Sequence, residues 1–202
     1  MPDSLARRKL TSAAAHLNVR SGYAGQVPPL VLMTDDDRLP DPLAAARALP
    51  RGAMIVVRSR EASRRSELAY ALVALARQHG LIVTIANDAK LAVLCGADGL
   101  HLSQVGAKHA PHWRALRPHW FISVSAHSLR SALLNRQADA ILLSPVFATR
   151  SHPGASALTP VRANAIAHAL SLPIYALGGV TGRNAALLDG FAGIAAVGAL
   201  CA

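Results

Sequence analysis

Eight short apolar runs, separated by helical or polar segments, constrain the fold of this 202-residue chain more than any other feature. The runs are PLVLMTDD, AMIVVRSR, LIVTIAND, GLHLSQ, WFISVSAH, AILLSPVF, PIYALGGV and GIAAVGAL. Strands that are apolar on both faces and alternate with helices are typical of a parallel sheet that helices cover. Eight such units predict an α/β fold, namely a short (β/α)8 TIM barrel.

The segments between the runs carry helical periodicity. In ASRRSELAYALVALARQHG, Leu68, Leu72 and Leu75 recur on one helical face, and Gly80 is placed to end the helix. Further helices are predicted in DPLAAARAL, AKLAVLCG, SLRSALLNRQ, TPVRANAIAHAL and GRNAALLDG, and a short one in VGAKHAPHWRALRPH. We expect the barrel to be truncated after the eighth strand, with the N-terminal helix SLARRKLTSAAAHL covering the gap or closing the barrel floor.

The length and composition fit a single folded domain. Hydrophobic residues make up 52% of the chain and charged residues 16%, so a buried core can offset the chain entropy lost on folding. We expect an N-terminal helix and linker over 1–29 and the barrel over 30–202. No apolar run approaches the roughly 20 residues of a membrane helix.

The N-terminus and the cysteines bear on location. The first residues include Asp3 and no apolar segment, which argues against a secretory signal. Only Cys95 and Cys201 are present, too few for a disulfide framework. We therefore expect a cytoplasmic protein without a membrane partner, and the sequence leaves open whether it forms a homo-oligomer.

The net charge is strongly positive, with 21 Lys and Arg residues against 11 Asp and Glu residues. Such an excess favours anionic partners, either nucleic acid or small phosphorylated molecules. The arginines are scattered, and aromatic residues make up only 4% of the chain, so a base-stacking surface is poorly supported. A phosphate ligand is therefore favoured over nucleic acid.

Polar residues follow most of the predicted strands, at the end of a barrel where ligands bind. Asp35, after the first strand, is placed to orient a substrate or to cap the DPLAAARAL helix. The other candidate functional residues at these strand ends are Arg58, Arg60, Asn87, Asp88, His101, Gln104, Ser125, His127, Ser144, Thr149, Arg150 and His152.

Two glycines end the seventh predicted strand. In barrels the loops after strands seven and eight commonly hold a phosphate through backbone N–H groups, and glycine lets the anion approach them. Gly178 and Gly179, with Gly198 and Ala199 one strand later, have this placement. The alternative is that the glycines only allow a tight turn with positive φ.

In their order and spacing, the segments TDD, RSR, AND, DGLHLSQ, SVSAHS, SPVFAT, ALGGV and AAVGAL resemble the thiamine phosphate synthase and TenI superfamily over residues 30–200. The resemblance implies the barrel fold, an enzyme of thiamine biosynthesis and a thiazole phosphate as small-molecule partner. Within the superfamily, the active-site pattern is closer to that of the TenI-type thiazole tautomerases.

The segments after the second and third strands match the synthase pattern in part. The synthase has Gln-x-Arg-x-Lys after the second strand, where it grips the diphosphate, and this chain has Val56, Arg58 and Arg60. Asn87 and Asp88 match the family's Asn-Asp pair, whose Asp binds magnesium. The resemblance therefore implies a weak metal ligand at Asp88 if the chain is a synthase.

Two further departures concern the site where diphosphate leaves. The synthase pattern His-x-Gly-Gln-x-Asp ends in a second magnesium ligand, and this chain has Gly106 there. The synthase's Thr-x-Thr-Lys is replaced by Thr149, Arg150, Ser151 and His152. Because magnesium held by oxygen ligands normally neutralises a leaving diphosphate, the synthase interpretation implies a Mg²⁺ cofactor.

TenI-type proteins need no metal, so the tautomerase interpretation implies no cofactor. In them a histidine after strand five moves the proton, which implies that His127 is the acid/base, and the ordinary pKa of imidazole suits that role. Arg58 and Asn87 would then orient the carboxylate or the ring of the substrate. The alternative role of His127 is to cap the helix that follows.

Three functions remain open on these grounds. The favoured one is a TenI-like tautomerase that acts on a thiazole phosphate by proton transfer. The second is a divergent thiamine phosphate synthase that condenses aminopyrimidine diphosphate with thiazole phosphate. The third is a non-catalytic regulatory barrel that binds a phosphate ligand.

Overall fold

The computed structural model describes residues 4–135, 137–149 and 156–200, in which eight parallel strands close into a barrel. The strands are β1 (Leu30–Met33), β2 (Met54–Val57), β3 (Ile82–Ala86), β4 (Gly99–Leu102), β5 (Phe121–Ala126), β6 (Ala140–Leu143), β7 (Ile174–Leu177) and β8 (Gly193–Ala196). Each strand pairs with the next along the chain, and Val31 of β1 pairs with Ala195 of β8 to close the ring. All eight predicted strands and the (β/α)8 fold are confirmed.

The helices lie between the strands, as predicted for most segments. They are α1 (Ser4–Arg20), α2 (Pro42–Arg47), α3 (Ala62–His79), α4 (Ala89–Cys95), α5 (Ala110–Leu116), α6 (Leu129–Leu133) and α7 (Pro160–His168), with a 3-10 turn over Gly106–His109 before α5. The predicted stop of α3 is confirmed, because Gly80 adopts a left-handed conformation and its N–H donates to Ala76 O. Of the described helices, none is both long and apolar enough to cross a membrane.

The helix predicted in GRNAALLDG is wrong. Only a 3-10 turn over Ala185–Leu187 forms between β7 and β8. Asn184 explains this difference, because its side chain accepts the N–H of Thr181 and donates to Gly179 O, which closes a local loop. Side-chain hydrogen bonds of this kind compete with helix formation.

The N-terminal helix packs beside β8 and β1, so it covers the gap and does not close the floor. Leu10, Ala14 and Leu17 lie on one face of α1 and are buried. At its far end, the buried amide of Asn18 donates to Ala192 O at 2.6 Å. That the whole of 1–202 behaves as one domain stays a prediction.

Candidate active site

The carboxyl ends of the strands meet at one end of the barrel, which we call the barrel mouth. The predicted site residues that the structure describes there are Arg58, Arg60, Asn87, Asp88, Ser125, His127, Thr149, Gly178, Gly179, Gly198 and Ala199. Arg150 and His152 lie outside the described residues. The mouth has a charged side, formed by residues 34–38, 58–65 and 87–88, and a glycine side, formed by residues 178–179 and 198–199.

Asp35 organises the charged side. Its Oδ2 atom accepts hydrogen bonds from Arg38 Nη2 and Arg58 Nη2, both at 2.7 Å. The hydrogen bond from Arg38 is the main reason that the pKa of Asp35 lies well below its usual range. Asp35 does not cap α2, because Asp41 accepts the N–H of Ala44 in that role.

Arg58 is held rigidly at the rim of this charged side. Its Nε donates to Thr34 O at 2.7 Å, and its backbone N–H donates to Thr34 Oγ1 at 2.8 Å. Burial lowers the pKa of Arg58, and the neighbouring Asp35 opposes that shift. The Arg58 side chain is 38% exposed, so it can still contact a ligand.

Arg60 is held more loosely than Arg58. Its side chain is 76% exposed and pairs with Asp37, while its backbone N–H donates to Asp36 Oδ2 at 2.9 Å. That backbone hydrogen bond is the first cause of the lowered pKa of Asp36. A cavity of about 450 Å³ opens here, lined by Asp35, Asp36, Asp37, Arg38, Arg58, Ser59 and Arg60.

Asn87 joins the end of β3 to the end of β4. It has a left-handed backbone with φ 53°, and its Oδ1 accepts the N–H of Ser103 at 2.8 Å. Its own backbone N–H donates to His101 O at 2.9 Å. The side chain is exposed at the mouth, but its carbonyl oxygen already serves the protein.

Asp88 uses both of its carboxylate oxygens within the protein. Oδ1 accepts the N–H of Leu91 at 2.9 Å and so caps α4. Oδ2 pairs with Arg65 Nη2 at 3.1 Å. Sequence reasoning missed Arg65, because residues 23 positions apart on different elements give no local signal of their contact.

Position 106 lies against the same corner of the mouth. A Cβ atom at Gly106 would lie 3.1 Å from Asn87 Oδ1 and 3.3 Å from Ser103 Oγ. An acidic residue at position 106 would lie beside Asn87, the neighbour of Asp88 in the chain. Glycine supplies no carboxylate there. Within the described residues, no three His, Cys, Asp or Glu side chains gather into a cluster that could hold a metal ion. Both carboxylate oxygens of Asp88 are already engaged, so they do not fit a resident Mg²⁺ ion, which favours oxygen ligands that are free to coordinate.

His101 is buried below the mouth and engages two serines. Its Nδ1 lies 2.9 Å from Ser123 Oγ, and its Nε2 lies 3.0 Å from Ser125 Oγ. Burial, helped by the charge of Arg58, lowers the pKa of His101 to about 4. The ring is therefore neutral at neutral pH and fixes the hydroxyl of Ser125, the predicted substrate-binding residue.

His127 stands exposed after β5 with a defined tautomer. Its Nδ1 lies 2.7 Å from Ser144 O, and because a carbonyl oxygen only accepts, Nδ1 carries the proton. The other ring nitrogen, Nε2, is then the basic one. His127 does not cap α6, because Ser128 accepts the N–H of Ser131 and Ser131 returns the bond in a capping box. The alternative role of His127 as a helix cap is therefore wrong.

On the glycine side, both glycines after β7 have positive φ, 93° at Gly178 and 66° at Gly179. A Cβ at Gly178 would lie 2.9 Å from Pro145 Cα, and one at Gly179 would lie 2.4 Å from Ala148 O. The approach of the β6 loop thus requires both glycines, as the tight-turn interpretation predicts. Gly198 differs, because a Cβ there would meet open space. That this side binds phosphate stays a prediction.

A comparison with known protein families shows which family the chain belongs to. A family model described as thiamine monophosphate synthase matches residues 30–200. The chain belongs to the thiamine monophosphate synthase family. The thiamine-phosphate synthase of Chlorobium luteolum is 36% identical over 181 residues, covering 86% of this chain and 85% of that protein. That of Thioalkalivibrio sulfidiphilus is 32% identical over 151 residues, covering 71% of each.

The predictions of this family and of an enzyme are thereby confirmed. Among solved structures, the thiamine phosphate pyrophosphorylase from Pyrococcus furiosus superposes with a TM-score of 0.66 over 83% of this chain and 84% of that one. At 22% identity, this likeness shows the fold alone. It agrees with the closed barrel described above.

Proposed function

We propose that this family member condenses an aminopyrimidine diphosphate with a thiazole phosphate, as a thiamine phosphate synthase. The observation that carries the proposal is the set of relatives named thiamine-phosphate synthase, one of which aligns with 86% of the chain. These relatives favour the synthase over the TenI-like tautomerase that the motifs favoured. In the reaction, a bond from the thiazole phosphate to the pyrimidine-bearing carbon forms as the bond from that carbon to diphosphate breaks.

The charged side suits the diphosphate. Arg58 is preorganised by Thr34 and Asp35 and remains partly exposed, so it can bind phosphate oxygens with little further ordering. Arg60 supplies a second cation, which must exchange Asp37 for the ligand. A diphosphate would therefore meet one arginine that is already oriented, Arg58, and would replace Asp37 as the partner of the second, Arg60.

The thiazole phosphate is assigned to the glycine side. Backbone N–H groups near Gly178, Gly179, Gly198 and Ala199 would hold its phosphate, without a charged side chain in those positions. Asn87 and Ser125 would orient the rings between the two anions, and Thr149 would contact the substrate from the loop after β6. Arg150 and His152, predicted for the same role, lie outside the described residues. The family in general uses Mg²⁺, but the residues at Asp88 do not fit it, so no step is assigned to that ion.

A second candidate, the tautomerase, is favoured by His127. Its Nδ1 is tied to Ser144 O, so Nε2 can accept a proton and return it. The same imidazole could take up the proton in a tautomerisation without a metal. The cytoplasmic location and the homo-oligomer remain predictions, as does the preference for a small phosphate ligand over nucleic acid.

The test is thiamine phosphate formation by the purified protein from the two substrates, with and without Mg²⁺. We expect the wild type to form product, and Arg58→Met to need at least tenfold more of the diphosphate substrate. A folded protein that binds thiazole phosphate but forms no product contradicts the synthase. The tautomerase assay with His127→Ala then separates the second candidate from a non-catalytic binder, because only a tautomerase shows turnover that this substitution abolishes.

A further inference from the structure

We propose that Arg65 takes the place of a resident divalent cation at Asp88, so that this chain binds no metal ion through its own carboxylates. The inference deepens the proposed function and rests on it for the family chemistry that the cation serves. It concerns an arginine that neither the motifs nor the family comparison singles out.

The contacts of Arg65 fix it between two loops of the mouth. One nitrogen, Nη2, meets Asp88 Oδ2 at 3.1 Å, and the other, Nη1, donates to Ser59 O at 3.0 Å. The two side chains of the pair are only 23% and 28% exposed, so water screens their attraction less than that of a surface pair. A metal ion at Asp88 would have to displace this guanidinium.

The position of Arg65 has an energetic cost at its remaining nitrogen. Its Nε is buried and has no hydrogen-bond partner among the described residues. An unsatisfied buried donor is unfavourable, so the contacts with Asp88 and Ser59 must offset it. The hydrogen bonds to Asp88 and Ser59 therefore hold the guanidinium at Asp88.

Two features act in the same direction at this corner. Arg65 adds a positive charge beside Asp88, and Gly106 leaves out a carboxylate beside Asn87. Sites for Mg²⁺ normally contain one or two carboxylates that face the ion. The nearby acids of residues 35–37 pair with other arginines, so they do not replace the missing ligand.

The test measures metal binding, which needs no turnover. Mn²⁺ is titrated into the protein without substrates, and the electron paramagnetic resonance signal of free Mn²⁺ reports binding. The wild type is expected to show no saturable binding below about 1 mM, the weak end of oxygen-ligand sites. Arg65→Met combined with Gly106→Asp is expected to bind at least tenfold more tightly. Arg77→Met, which removes an exposed arginine of the same helix, is the matched control and should behave as the wild type.

Saturable sub-millimolar binding to the wild type that Asp88→Asn abolishes would overturn the proposal, and this arm needs no Arg65 variant to fold. Equal binding by the wild type and the double variant, both folded by circular dichroism, would also overturn it. Absence of thiamine phosphate formation would instead contradict the proposed function and leave the Mn²⁺ result standing. The two failures are thus distinguishable.

Discussion

The charged side and the glycine side of the barrel mouth differ in what prepares them for an anion. On the charged side, the arginines are oriented by aspartates, as Arg58 is by Asp35 at 2.7 Å. On the glycine side, the backbone itself is shaped, with φ 93° and 66° at Gly178 and Gly179. The charged side depends on ion pairs between aspartates, which titrate, and arginines, which can exchange partners. The turn at Gly178 and Gly179 depends on close packing against the loop after β6.

This difference bears on which positions tolerate substitution. The charged side tolerates single substitutions, because partly exposed side chains such as Arg60 and Arg65 can take a new partner. The turn at Gly178 and Gly179 offers no such freedom, since any side chain at Gly179 meets Ala148 O. We therefore expect substitutions in this turn to reduce stability and those on the charged side to change binding.

Gly179→Ala should have the largest effect. The added Cβ would lie 2.4 Å from Ala148 O at a φ of 66°, so overpacking and backbone strain add up. We expect a loss of about 3 kcal/mol or more in the free energy of unfolding, measured by urea denaturation. Gly198→Ala, where the Cβ meets open space, should change it by less than about 0.5 kcal/mol. Similar losses in both variants would contradict the assignment of the cost to the close approach of Ala148 O at Gly179.

The pH dependence of stability should come from the charged side and the histidine beneath it. The pKa of His101 is about 4 in the folded protein and about 6.5 when unfolded, so below pH 6.5 the unfolded state binds more protons. Stability should therefore fall by up to about 3 kcal/mol as the pH drops from 7 to 4. Below about pH 4, the lowered pKa of Asp35 adds a further loss. His101→Asn should flatten the profile between pH 7 and 4 in urea denaturation, and an unchanged slope would count against this assignment.

Arg58→Met should weaken binding of the diphosphate substrate more than it weakens the fold. Asp35 keeps Arg38 as a partner, so the substitution does not leave an isolated charge. Loss of a charge-assisted hydrogen bond predicts a rise in KM, or in Kd by calorimetry, of tenfold or more, from about 1.5–3 kcal/mol. Thiazole phosphate binding on the glycine side should remain unchanged. A matching loss there would show that the two sides do not act separately.

The barrel could be predicted because its strands are largely buried on both faces and form apolar runs, interrupted only by Thr84, His101, Ser123 and Ser125. The last connection could not, since GRNAALLDG has helical spacing but Asn184 closes a loop through Thr181 and Gly179. Propensity there lost to side-chain hydrogen bonds and to the neighbouring α1, whose Lys9 lies against Gly182.

For the site, the topology alone brings the strand-end residues to one mouth, so their grouping could be predicted. Their partners could not. The pair between Arg65 and Asp88 depends on how α3 and α4 sit on the barrel, which no local spacing encodes. The cap of α6 could have been found, because Ser128 begins the segment Ser-Leu-Arg-Ser and stands three residues before Ser131, a recognisable start signal for a helix.

Arg60→Met should have the smallest effect and so sharpens the comparison within the charged side itself. Arg60 is 76% exposed and its partner Asp37 is 71% exposed, so their ion pair is worth at most about 1 kcal/mol. We expect a change of less than about threefold in Kd for the diphosphate substrate at 0.15 M salt, larger at low salt because exposed charges are screened. Calorimetry at two salt concentrations measures it, with Arg77→Met as control. An effect as large as that of Arg58→Met would mean that Arg60 holds the diphosphate as strongly as Arg58 does, so its exposure in the free protein would understate its role.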